Sequence, residues 1–273
     1  MSDGITTPPK AGAGVFDLLG MSHSSYDHTD RIVHGRVAGY RIGLTGLENA
    51  AYLSMTLPYA AGALISSVED LAAWNEALAG GKVLQPETMC RAWTSGTLDA
   101  GDAHGYGYGW SVFSYEGRRV VEHAGGIHGF STDGIYFPDD RVYVAVLANL
   151  DAAEAAPDKT ALRIAGLVIG APYIEPPAVP LTSARRAVLA GVYQGEGEQE
   201  WYVIDQDDDL FLQPKNGRPQ KLYAISADQF RTDTLLTRIR VEESEAGAIR
   251  ALVTQDRRGV AERLVRTDRP LPT

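Results

Sequence analysis

The chain has 273 residues, of which 44% are hydrophobic and 22% charged, and it carries a formal net charge of −10. That length suits one large domain or two smaller ones with ample core, and the negative balance argues against nucleic acid and anionic membranes, whose phosphates it repels at long range. The single cysteine, Cys90, rules out an intrachain disulfide framework and a cysteine-built zinc cluster.

Residues 1–14 are small, polar and rich in proline and glycine, the composition of a disordered lead. Met1-Ser2-Asp3-Gly4 has neither the basic start nor the apolar stretch of a secretory signal, and no apolar run reaches transmembrane length, which leaves the compartment unknown. From Val15 to about Met55 the apolar residues keep no steady period, and glycine recurs at Gly20, Gly35, Gly39, Gly43 and Gly46. This predicts a long, loop-rich excursion that covers a site or another element.

Ser66-Ser67-Val68-Glu69-Asp70 opens a helix. Ser66 with Glu69 fits a capping box, Val68, Leu71, Ala72, Asn75 and Leu78 follow helical spacing, and Gly80-Gly81 ends it. Pro86 stands at the first position of a second helix, in which Cys90 reads as a small buried core residue. Tyr106 to Asn149 predicts three or more antiparallel strands. Asp158 to Ile169 predicts a helix whose broad apolar face is Leu162, Ala165, Leu167, Val168 and Ile169, closed by Gly170.

A proline-rich linker over 173–182 separates a domain of residues 15–172 from a different texture over 183–273. About eight short alternating runs follow, among them Trp201-Tyr202-Val203-Ile204 and Ile249-Arg250-Ala251-Leu252-Val253, with turns such as Asp207-Asp208-Asp209 between them. They predict a small up-and-down β-barrel. The expected fold class is therefore α+β, an antiparallel sheet with helices followed by the barrel.

The stretch Val121-Glu122-His123-Ala124-Gly125-Gly126-Ile127-His128-Gly129-Phe130 leads a β-branched run into a histidine and two glycines. A glycine-edged strand lets a substrate lie against the backbone and presents N–H groups to a developing oxyanion. His123 reads as a substrate-facing donor; its plainer role is a strand-terminal histidine bonded to a neighbouring backbone. His128 pairs with Glu122 or Asp133, or simply packs. Because residues five apart on a strand face opposite sides, Glu122, His123 and His128 do not make a metal site, and none is expected. Tyr106, Tyr108 and Trp110 alternate with glycine and read as one aromatic, core-packed face, while Tyr26, His28, His34 and Tyr40 lie on the long excursion as structural or solvated residues.

Four motifs in order resemble those of serine hydrolases related to penicillin-binding proteins and class C β-lactamases. Phe16-Asp17-Leu18-Leu19-Gly20-Met21 resembles the family's Phe-Asp-Pro-Leu-Gly-Met, and Ala61 to Leu71 its Ala-Gly-Gly-Leu-x-Ser-Ser-x-x-Asp-Leu segment. Tyr106-Gly107-Tyr108-Gly109-Trp110 resembles the strand before its third motif, and His123-Ala124-Gly125-Gly126 stands where relatives carry Lys-Thr-Gly or His-x-Gly. Asn149 ends the next strand as a family asparagine does. The C-terminal part, from Leu189-Ala190-Gly191-Val192-Tyr193 through Leu210-Phe211-Leu212-Gln213, is similar to the lipocalin-like domain appended to some of these enzymes.

The resemblance implies a partial β-lactamase/transpeptidase-like domain that works on a small-molecule amide or ester through an acyl-enzyme, without a cofactor. It gives His123 and the backbone N–H of Gly126 the catalytic roles on this strand, the latter in an oxyanion hole, with Ala124, Gly125, Ile127 and His128 lining the substrate. The family nucleophile is missing: none of Lys10, Lys82, Lys159, Lys215 and Lys221 follows a serine by three positions, and no Tyr-x-Asn motif occurs. Ser66 and Ser67 read as helix caps, and there is no Gly-x-Ser-x-Gly elbow, His-Glu-x-x-His helix or phosphate loop. The expectation is the C-terminal portion of such a hydrolase, with little or no activity alone and either a homo-oligomer or a complementing N-terminal half as partner. An alternative function is a non-catalytic module whose barrel, lined by Trp201, Tyr202, Phe211 and Tyr223, holds a small apolar ligand or caps a partner.

Overall fold

The computed structural model describes residues 14–28, 30–43, 45–99, 101, 103–152 and 155–272. All but Gly14 of the expected disordered lead lies outside them. The chain divides into two compact units, one holding residues up to 94 with 106–173, the other 95–105 with 174–273.

In the first unit the long excursion carries short elements: helix α1 (Phe16–Leu19), strand β1 (Ser25–Tyr26) and the hairpin β2 (Tyr40–Gly43) and β3 (Gly46–Asn49). Strand β4 (Leu64–Ile65) pairs with β1. Helices α2 (Val68–Ala79) and α3 (Pro86–Ala92) follow, then an antiparallel sheet of β5 (Ser111–Tyr115), β6 (Arg118–Ile127), β7 (Phe130–Phe137) and β8 (Val142–Ala148), in that order, and helix α4 (Pro157–Val168).

The cap of α2 is Ser67 rather than the expected Ser66: the Asp70 N–H donates to the Ser67 hydroxyl at 3.3 Å. Ser66 is taken by a tertiary contact, its hydroxyl lying 2.8 Å from that of Ser24. Asp70, though 5% exposed, is satisfied by the His23 N–H at 2.8 Å and the Ser24 hydroxyl at 2.7 Å, and so ties the 21–26 segment to the start of α2. Pro86 does open α3, but Cys90 is exposed; the short helix buries Met89 and Ala92 instead. α4 buries Ala161, Leu162, Ala165 and Gly166, while Leu167 and Val168 are 70% and 64% exposed, so the apolar face is narrower than the sequence suggested.

Strand alternation gives the sheet two covered faces. On one, Val121 and Tyr136 join Leu78, Met89, Ala92 and Trp93 from the α2–α3 region, with Trp110 and Tyr143 packed against them. The other buries Val120, Ile135 and Phe137 completely or nearly so. α4 packs along β7 and β8. Each large side chain so buried contributes roughly 1.5–3 kcal/mol relative to exposure.

The second unit is a closed eight-stranded barrel. Helix α5 (Ser183–Leu189) leads into β9 (Gly191–Gln194), β10 (Glu200–Gln206), β11 (Asp209–Pro214), β12 (Gln220–Ala224), β13 (Gln229–Arg231), β14 (Arg238–Glu243), β15 (Ile249–Gln255) and β16 (Ala261–Arg266). Each strand pairs with the next, and β9 pairs with both β10 and β16, which removes the free edges. Asp207 and Asp208 both take positive φ, 52° and 67°, in the two-residue turn between β10 and β11. The interior is filled by Leu189, Tyr193, Val203, Leu212, Phe230, Leu264 and their neighbours. Trp201 packs against this core, Tyr202 is 8% exposed, and Tyr223 lies under the Arg231 guanidinium at 4.2 Å. Arg266 closes the base, donating to the carbonyls of Leu189 at 3.0 Å and Ala190 at 2.6 Å, the last turn of α5.

Two stability tests follow. Gly129 has φ +82°, and a Cβ there would lie 2.6 Å from that of Ala50 and 2.7 Å from the Gly39 Cα. Gly129→Ala therefore costs about 2 kcal/mol, read as a lower denaturant midpoint by tryptophan fluorescence; an unchanged midpoint contradicts the close crossing. Burial, and secondarily Asp133, pushes the Tyr143 hydroxyl up to about 12. Because that value lies above the ordinary one, the neutral phenol's contribution is complete below about pH 10 and is lost as pH rises through about 12. Wild type should lose stability across this window and Tyr143→Phe should lose less; parallel curves would remove Tyr143 as the cause.

Candidate active site

The site is built on a mismatch in strand length. β6 spans Arg118 to Ile127, but β5 pairs with it only from Arg118 to Glu122. Beyond Glu122, residues His123 to Ile127 pair with β7 alone, and no described strand covers their other side. His123, Ala124, Gly125 and Gly126 are exposed, and Ile127 is half-buried.

The direction of the backbone groups follows from two hairpins. Glu116 and Gly117, with φ 49° and 75°, form the two-residue turn that pairs Tyr115 with Arg118. Such a turn makes its flanking pair the hydrogen-bonded one, so the N–H and C=O of Arg118 face β5, and by alternation so do those of Val120 and Glu122. The same parity turns Ala124 and Gly126 toward the side that β5 leaves open. The connection of β6 to β7 through His128 and Gly129 agrees, since it pairs Ile127 with Phe130 and leaves Gly126 facing away from β7.

The two glycines differ in purpose. A Cβ on Gly125 would lie 2.7 Å from the Thr132 hydroxyl, so the neighbouring strand demands its smallness. A Cβ on Gly126 would meet nothing within 4 Å, so the sheet face opposite His123 is open at that position. Ile127 is placed beside the 58–62 turn, its Cδ1 3.8 Å from where a Cβ on Gly62 would stand.

His123 lies opposite Gly134 on the α2–α3 face of the sheet. Its Nε2 is 3.1 Å from the Tyr106 hydroxyl, and the two rings meet edge to face with centroids 6.3 Å apart. The plainer role, a histidine bonded to neighbouring backbone, is thus replaced by a side-chain partner 17 residues away. Tyr106, expected in the core with Tyr108 and Trp110, is half-buried at the site; Tyr108 is 72% exposed, and only Trp110 packs on the core. No local signal marks Tyr106 for this contact, because it depends on how the 105–110 loop folds over β6. Close by, a Cβ on Gly134 would lie 2.8 Å from the Tyr143 hydroxyl.

Glu122 and Asp133 are 1% and 2% exposed and lie on the face opposite His123. His128 sits in the turn, exposed, with its Nδ1 3.3 Å from the Ala51 carbonyl rather than paired with either acid. The turn itself is stapled: the Gly129 N–H donates to Asp151 at 2.7 Å, the Tyr40 N–H to the Asn149 carbonyl at 3.0 Å, and the Asn149 amide to the Ala38 carbonyl at 3.0 Å. Tyr26 donates to the Met55 carbonyl at 2.8 Å and lies against His28, both on the excursion, and His34 is exposed.

The sequence pattern of the Beta-lactamase family matches residues 10–167. Penicillin-binding protein 4* of Bacillus subtilis is 25% identical over 218 residues, 76% of this chain and 47% of that protein. Unguisins hydrolase ungD' of Aspergillus campestris is 30% identical over 117 residues, 40% of this chain and 22% of that protein. The chain thus spans less than half the length of either relative. The octameric penicillin-binding protein homologue from Pyrococcus abyssi superposes with a TM-score of 0.51 at 20% identity, covering 92% of this chain and 58% of that one, which is a likeness of fold. With a match over more than half its length and an α+β domain followed by a barrel, the chain belongs to the Beta-lactamase family of penicillin-binding-protein-like serine hydrolases.

Proposed function

We propose that this chain supplies the substrate-strand wall of an acyl-transfer hydrolase acting on a small amide or ester. The observation that carries the reading is the open side of β6, where Ala124 and Gly126 present backbone N–H and C=O groups that no described strand pairs, next to His123. A substrate lies along this edge as an added strand, and the Gly126 N–H donates to its carbonyl oxygen as negative charge develops there. Ala124, Gly125, Ile127 and His128 flank it, and His123 donates a hydrogen bond from the sheet face.

The chemistry needs an attacking serine, and Ser-x-x-Lys does not occur in the sequence. In the reading proposed, the nucleophile and its basic partner reach the wall on a complementing segment. The outer side of β8, which no described strand covers, and the 41% exposed Leu147 on it suit such a partner. Half an oxyanion hole without a nucleophile gives little turnover, since loss of the nucleophile costs several orders of magnitude in rate.

The purified chain should hydrolyse a chromogenic cephalosporin and a p-nitrophenyl ester no faster than buffer does; turnover that a covalent serine reagent stops would overturn the assignment. Binding tests the wall separately. An N-acylated amide titrated into isotopically labelled protein should shift the backbone amides of residues 123–127. Gly126→Val puts a branched side chain beside the Gly126 N–H and should weaken that response about tenfold or more, roughly 1.4 kcal/mol, with the melting midpoint retained because its Cβ meets no neighbour. Equal binding by the variant would place the substrate elsewhere.

A further inference from the structure

We propose that Tyr106 is a positioning residue that fixes the tautomer of His123, so that the ring offers Nδ1–H to an oxygen acceptor on the bound substrate. The inference builds on the substrate wall described above and adds how the imidazole of His123 is oriented.

The geometry is direct. The Tyr106 hydroxyl lies 3.1 Å from His123 Nε2, within hydrogen-bond range, and the edge-to-face rings prevent either side chain from swinging away without losing contact. Nδ1 has no partner among the described residues. In a neutral imidazole one nitrogen donates and the other accepts, and the bond made by one decides the role of the other. A phenol is a good donor and a poor acceptor, whereas an unprotonated imidazole nitrogen is a strong acceptor. The stable arrangement is therefore Tyr106 O–H donating to Nε2, with the ring proton on Nδ1.

Tyr106 is itself held in place, which a positioning residue requires. The Gly107 N–H donates to the Trp110 carbonyl at 2.7 Å, and the Tyr108 N–H donates to the Ala92 carbonyl at 3.0 Å at the end of α3. Any Cβ on Gly107 would lie 2.1 Å from that Ala92 carbonyl, so the loop runs against α3 as closely as the backbone permits. Trp110 packs into the core beneath the sheet. Held at Gly107 and Tyr108, immediately after it, the phenol is delivered to His123 Nε2.

The consequence for recognition is specific. An imidazole with its proton on Nδ1 and its Nε2 engaged is a donor toward substrate and cannot accept from it. It selects a carbonyl or carboxylate oxygen at that position over an N–H or O–H group.

Long-range nitrogen–proton correlation spectra of the histidine rings in the intact chain test this without substrate or turnover. Wild type should show His123 predominantly as the Nδ1–H form, and Tyr106→Phe, which keeps the aromatic ring and the fold, should raise the Nε2–H population several-fold. A wild-type ring already in the Nε2–H form overturns the proposal, as does a population that Tyr106→Phe leaves unchanged. Either result counts against Tyr106 alone; the hydrolase reading stands or falls on turnover and on amide binding at 123–127.

Discussion

Strand β6 is twice as long as the strand beside it, and everything proposed for this protein depends on that difference. Over its first half both sides of its backbone are bonded; over its second half no described strand covers one side. A bare edge is ordinarily a liability, and proteins blunt it with charge, proline, a bulge or a covering loop. Ala124, Gly125 and Gly126 do none of these. On that side no described strand pairs with the stretch, the condition under which an extended ligand can take the place of the missing strand. β5 stops where it does because the chain before it is committed elsewhere: Gly109 takes φ +80°, and Gly107 and Tyr108 are bonded to Trp110 and to the end of α3.

An open edge recognises a ligand only if it stays in place, and half-paired strands fray from their ends. Here the end is stapled. Gly39 and Gly129 cross so closely that neither tolerates a side chain, and Asp151, Asn149 and Tyr40 tie the turn to the chain just after β8 and to the long excursion. The excursion thus acts as a clamp on the far end of the β6–β7 hairpin. This gives its irregular sequence a physical purpose: the contacts by which it holds the hairpin are to backbone groups and to glycines, which impose no period on its own residues.

Much of the fold was legible in the sequence because it rests on local rules. Gly80 and Gly81 end α2, Pro86 opens α3, and alternation with turn residues such as Asp207 and Asp208 sets out the barrel. The misreadings share a different cause. Ser66 and Ser67 each have an acid three residues on, and only Ser24, some 40 residues earlier, decides between them by occupying Ser66. Cys90, Leu167 and Val168 look like core by composition, but which side of a short helix is covered depends on neighbours that spacing does not name. Within the site, the His-Ala-Gly-Gly run was visible as a backbone feature, while Tyr106 was not, since its contact with His123 is created by a loop pinned to α3.

That last contact bears on what the family's third motif does in this chain. Where β-lactamases carry lysine the charge is fixed and compact, and the surroundings alter its strength more than its nature. A histidine at the same place has no fixed role: it donates or accepts according to what holds its second nitrogen. Replacing lysine by histidine therefore moves part of the specification from the strand to the loop that faces it. In this chain the facing residue is a tyrosine, held by a loop that is bonded through Tyr108 to the end of α3, so the hydrogen bonding of the strand's side chain depends on a helix outside the sheet. The backbone of β6 and the side chain of His123 are in this sense specified by different parts of the unit, the first by the length of β5 and the second by the path of residues 105–110. A sequence motif read along one strand contains only the first of these.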